Sequence, residues 1–195
     1  MISSMLVIAL ASACGHHTAQ HQAATVRVPN LQEVGSRAHE YTSLDQVAAI
    51  ANALVLATPT GRQSSTPLPV RPGDGPDPAP TTYVEMHIEK VLSGSVKSST
   101  VQVVSLGQDE NTGGPALLTG GPFLMYLAPA MYGAHDPAGG YVVAGGPAGA
   151  YVSDGLGTYL KLDSLDPGLP STISSAADLP ETNHSESELL AIGPQ

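Results

Sequence analysis

Three groups of side chains in this sequence are of types that do chemistry. His16, His17 and His21 form a His-His-x3-His cluster, with His39 further on. Neutral imidazoles gathered in one segment can bind Zn, Cu or Ni, but only a helix would put His17 and His21 on one face, and no carboxylate nearby orients the rings. A solvated tether is the plainer account of the cluster, and metal binding by His16, His17 and His21 the sharper one. Glu85, His87 and Glu89 project from one face of an alternating run. Residues two apart on a strand can share a metal ion, or act as acid and base, when a further group arrives from elsewhere. An outward polar face opposite Val84, Met86 and Ile88 explains the same three residues with no cofactor. The third candidate is Cys14, the one cysteine of the chain, which rules out an internal disulfide and a cysteine-built zinc cage.

The remaining catalytic signatures are missing. There is no Gly-x-Ser-x-Gly elbow, no Ser-x-x-Lys pair and no His-Glu-x-x-His motif, so no nucleophile comes with an obvious activating base. Gly113-Gly114, Gly120-Gly121, Gly139-Gly140 and Gly145-Gly146 lack the lysine and helix start of a phosphate cradle and read as turn glycines. Asp109-Glu110-Asn111 and His135-Asp136 lie among glycines without the regular spacing of a calcium loop, and read as solvated turn residues. No cofactor is expected.

The elements that would position these residues are short. Of 195 residues, 42% are apolar and 12% charged, and 21 Gly and 17 Pro favour turns and short strands; soluble domains usually carry roughly 25% charged residues. A helical bundle is excluded. The formal charge of −10 repels phosphate backbones and anionic lipid headgroups, so nucleic acid is not an expected partner.

Residues 14–40 are polar and aperiodic and read as a flexible tether. Ser43-Leu44-Asp45-Gln46 reads as a capping box opening a helix through about Ala53, with Leu44, Val47, Ala48, Ile50 and Ala51 as its apolar stripe. Leu54–Leu56 reads as a first strand ended by Pro59 and Gly61. Residues 61–80, with Pro67, Pro69, Pro72, Pro76, Pro78 and Pro80, read as a surface insertion. Further strands are predicted at residues 83–92, Val101–Leu106, Phe123–Ala128, Tyr141–Ala144, Tyr151–Ser153 and Gly157–Leu162, the last two joined by a hairpin at Asp154-Gly155. Tyr126, Tyr141, Tyr151 and Tyr159 should supply much of the larger core, their hydroxyls reaching partners or water. A weakly ordered tail is expected over 164–195, with a last helical turn at Ser185–Ile192. The predicted class is mainly β: a small antiparallel barrel, OB-like, or a sandwich over residues 41–163, with one short N-terminal helix.

Met5–Ala13 is apolar, ends in small residues and is too short to span a bilayer as a helix. Leu10-Ala11-Ser12-Ala13-Cys14 resembles a bacterial lipobox. The resemblance implies removal of residues 1–13 as a signal segment and acylation of Cys14, and so attachment to the extracytoplasmic face of the cell membrane. The succession Val-Leu-Ser-Gly-Ser, Thr-Val-Gln-Val-Val, Gly-Gly-Pro-Phe-Leu-Met-Tyr-Leu-Ala-Pro and Tyr-Val-Val-Ala-Gly-Gly resembles small lipoproteins of high-GC bacteria. More distantly, residues 43–162 resemble the OB-like barrels of netrin-type and metalloprotease-inhibitor domains. That likeness implies a five- or six-stranded barrel with a packed helix and no catalytic residues. The zinc-chelating amino terminus of such inhibitors is not implied here, because Cys14 would be acylated and has no disulfide partner. The expected role is a membrane-tethered, non-enzymatic module binding an envelope protein or small ligand. The alternatives are a metal-dependent or acid/base hydrolase built on His87 with Glu85 or Glu89, and a structural envelope spacer.

Overall fold

The computed structural model describes residues 27–31, 39–66, 80–162 and 164–194. A short helix α1 (Leu44–Ala48) precedes β1 (Ala53–Thr66), β2 (Thr81–Gly94) and β3 (Thr100–Val104). Then follow β4 (Phe123–Gly133), β5 (Asp136–Val143), β6 (Ala150–Ser153), β7 (Tyr159–Lys161), β8 (Thr172–Ile173) and a second helix α2 (Glu186–Ile192). The strands form one sheet in the order β1-β2-β3-β5-β4-β6-β7-β8, and a further β1–β4 pairing bends the first five into a closed ring. The protein is therefore mainly β, as its composition predicts. One pair departs from the antiparallel expectation: β3 meets β5 in parallel at Val103 and Tyr141.

The apolar run at Phe123 forms the centre of this arrangement. On one side β4 pairs with β1, and on the other with β6 and then β5. Alternate side chains of a strand face opposite ways. Phe123, Met125 and Leu127 enter a core inside the ring with Val55, Val84, Met86, Val103 and Val152. Leu124, Tyr126 and Ala128 face a second layer built with Leu44, Val47, Leu54, Tyr151, Leu169, Ile173 and Leu189. Both faces of β4 are covered, so every residue from Phe123 to Ala130 is buried. Burying a large apolar side chain stabilises by about 1.5–3 kcal/mol, which makes β4 the strand that can least tolerate substitution.

Several sequence expectations need correction. Helix α1 ends at Ala48 instead of reaching Ala53, because Ala53 is a strand residue paired with both Gly94 and Leu127. Ser43 occupies the N-cap without a side-chain bond; the Gln46 side chain instead accepts from the Thr42 N–H at 2.8 Å. The predicted type of cap forms at the other end of the chain, where Ser185 accepts from the Glu188 N–H and the Glu188 carboxylate accepts from the Ser185 N–H at 2.6 Å.

Pro59 and Gly61 do not end β1. Pro59 pairs with Met86, and Gly61, left-handed at φ 84°, lies in the bulge between that pair and Gln63–Val84, after which pairing resumes to Thr66–Thr81. Pro59 lies beyond the last β4 partner of β1, where β1 becomes an edge and a missing N–H is tolerated. Residues 61–66 are thus strand, and residues 67–79 lie outside the described residues. Gly139 and Gly140, read as turn glycines, lie within β5. At Gly140 (φ 71°) a Cβ would stand 2.5 Å from the Gln102 carbonyl oxygen, so the parallel contact with β3 requires the bare backbone.

The tail read as weakly ordered and residues 27–31 of the expected tether pack on the rest of the molecule. In the tail, Leu169, Ile173 and Leu189 are buried, while Tyr126 and Tyr151 donate to the carbonyl oxygens of Pro180 and Pro170, each at 3.1 Å. In the expected tether, Leu31 forms a bridge with Asp109 and Asn30 accepts from the Glu110 N–H at 2.8 Å. Among the described residues no helix is long and apolar enough to cross a membrane.

Candidate functional site

Cys14, His16, His17 and His21 lie outside the described residues. Glu85, His87 and Glu89 stand in a row on the outer face of β2, alternating with buried Val84, Met86 and Ile88, and His87 is exposed. Neighbouring β1 side chains occupy both carboxylates. Thr60 Oγ1 donates to Glu85 Oε1 at 2.8 Å, Arg62 approaches the same oxygen at 3.5 Å, and Thr58 Oγ1 donates to Glu89. These are cross-strand pairs on a wet face, and they do not bring the two carboxylates to His87 around a common point. Among the described residues no group of three or more His, Cys, Asp or Glu side chains is placed to share a metal ion.

The polar centre that sequence reasoning missed is Asp109, assigned to a solvated turn and found fully buried. Its Oδ1 accepts from the N–H groups of Asn30 (3.0 Å) and Asn111 (3.2 Å) and from Asn111 Nδ2 (3.2 Å). Its Oδ2 accepts from the hydroxyls of Thr112 (3.0 Å) and Thr119 (2.9 Å), and Arg27 lies 3.8 Å away. Burial disfavours the charge, but the donors from Asn111, Asn30, Thr119 and Thr112 outweigh it and hold the carboxyl at about 2. Five donors leave little free lone-pair capacity for a cation, so this site is a clasp joining residues 27–31 to the 109–119 loop. The readable signal was Asp109-x-Asn111-Thr112-Gly113, whose short polar side chains turn back on the backbone.

The second missed feature is a cavity of about 360 Å³ beside the far half of β4. Ala128, Pro129 and Met131 from β4 and Val142 and Val143 from β5 form one wall. Ile50, Pro147 and Leu189 are also apolar lining residues, while His39 and Tyr41, at the start of the 39–66 segment, and Gly193 and Pro194, at the end of the described chain, complete it. Small residues keep the space open, chiefly Ala128, Ala144, Gly145 and Gly146. Gly145 is left-handed at φ 71°, and a Cβ there would stand 3.0 Å from the Tyr41 ring. Tyr41 is fixed from behind by its N–H, which donates to Oδ1 of buried Asp166 at 2.9 Å. Lys161 Nζ in turn donates to the Asp166 carbonyl at 2.7 Å. The α2 side is fixed by the Ser185–Glu188 cap and by Lys97, which pairs with Glu186 at 2.6 Å. Sequence reasoning could not find this site, since its lining residues run from position 39 to 194 and carry no motif. Compared with protein-family models, curated proteins and solved structures, the chain matches none.

Proposed function

We propose that this chain is a membrane-tethered extracytoplasmic lipoprotein whose β domain is a non-enzymatic binding module, with the cavity at the β4–β5 wall as its binding site. The observation that carries the binding role is a contrast between two kinds of site. The carboxylates most suited to chemistry are taken up in structural hydrogen bonds, at Glu85 and Glu89 by threonines and at Asp109 by five donors. The cavity, by comparison, has the size and mainly apolar lining of small-molecule sites, which span about 300–1,000 Å³. A spacer would have no use for such a cavity. The tethering rests on Cys14 and the lipobox-like residues before it.

The test of tethering is intact mass and detergent partitioning of the full chain expressed in a bacterial host, compared with Cys14→Ala. Loss of residues 1–13 with added acyl mass, both abolished by the substitution, is the expected result. An unprocessed, unacylated chain that stays in the aqueous phase would overturn the anchor and leave the cavity reading to be judged by ligand binding.

A further inference from the structure

Resting on the reading of the cavity as the binding site, we propose that its ligand is a small, uncharged and mainly apolar molecule of one or two rings, its polar end at the mouth formed by His39 and Tyr41. Among the described residues the lining has no Lys or Arg to pair with a carboxylate or phosphate and no Asp or Glu to pair with an amine. An ionised ligand would leave water without a counter-charge, a cost of many kcal/mol in an apolar site. The chain's net charge of −10 adds long-range repulsion against anions. Size points the same way, since about 360 Å³ lies at the small end of ligand sites. His39 is exposed and Tyr41 half-buried, while Ala128, Pro129, Val143 and Leu189 are buried, so the polar groups sit toward solvent and the apolar ones behind. An apolar body with one hydrogen-bonding end matches that gradient.

The test uses the full chain carrying Cys14→Ala, so that no acyl group competes, with two fluorescent probes of similar ring frame: neutral N-phenylnaphthylamine and anionic anilinonaphthalene sulfonate. Saturable one-to-one binding of the neutral probe, at least tenfold tighter than the anionic one, is expected. Val142→Phe, which fills the cavity from the half-buried wall of β5, should weaken the neutral probe at least tenfold with an unchanged thermal transition. Should that variant not fold, Ile50→Trp on another part of the lining gives the same readout. Neutral-probe affinity unchanged in a folded, cavity-filled variant would overturn the proposal. Tight anionic binding abolished by Val142→Phe would overturn the ligand class and leave the cavity as a binding site. No saturable binding of either probe would overturn both.

Discussion

A carboxylate buried among five hydrogen-bond donors must stay ionised for those bonds to persist, and Asp109 is held in that state by Asn30, Asn111, Thr112 and Thr119. Its folded-state value of about 2 lies below the ordinary 3.8. The stability it contributes is therefore fully present above about pH 4 and is lost as pH falls from there through 2. Asp109→Asn keeps one acceptor oxygen but turns an amide toward the two threonine hydroxyls. It should cost on the order of 2–4 kcal/mol by urea unfolding at pH 7, with the gap from the parent narrowing between pH 4 and 2. A constant gap across that range would show that Asp109 is not the linked group. At this scale the sequence was legible where chemistry is local. The alternation from Val84 to Glu89 reads directly as an inward and an outward face, whereas Tyr83, which the same alternation places outward, is buried. The burial of Asp109 was not legible, because it depends on residues 27–31 returning from nearly eighty positions away.

At the scale of elements, the two glycines of β5 separate backbone strain from strand closure. Gly139 has φ 84° and nothing within 4 Å of a Cβ, whereas at Gly140 (φ 71°) a Cβ would meet the Gln102 carbonyl at 2.5 Å. Gly139→Ala should cost about 1–2 kcal/mol for the left-handed backbone alone. Gly140→Ala should cost more than about 3 kcal/mol, because it also drives β3 and β5 apart. Equal losses in urea unfolding would mean that the β3–β5 contact does not hold the ring closed. The Phe123–Ala128 strand was legible as a continuous apolar run because both its faces are covered. The β4–β5 hairpin beyond it was not, since Pro129, Pro137, Gly139 and Gly140 are breakers by composition and are tolerated here at bulges in the pairing.

For the whole molecule, the outer layer is completed by the tail. Removing residues 163–195 would uncover the surface that Leu169, Ile173 and Leu189 bury, and would leave the hydroxyls of Tyr126 and Tyr151 without their Pro180 and Pro170 partners. A chain ending at Leu162 is expected to lose its cooperative urea transition and the near-ultraviolet circular dichroism of its tyrosines. A sharp transition with intact tyrosine signals would show the tail to be accessory. The mainly β class was legible from Gly, Pro and the strand-length apolar runs. The packed tail was not, because its anchoring residues are too widely spaced to show a period.

The clasp at Asp109 also decides how the molecule bears mechanical load. Arg27 lies against Gly120, just ahead of β4, where a Cβ would stand 2.4 Å from its carbonyl oxygen. His39 and Tyr41 line the cavity with Ala128, Pro129 and Met131, ~20 Å further along the strand. Tension entering from the residues before Arg27 meets the Asn30–Asp109–Glu110 bonds before it can reach His39 or Tyr41. A chain pulled from that end would yield first at the clasp, and the cavity mouth would keep its shape until the clasp had parted.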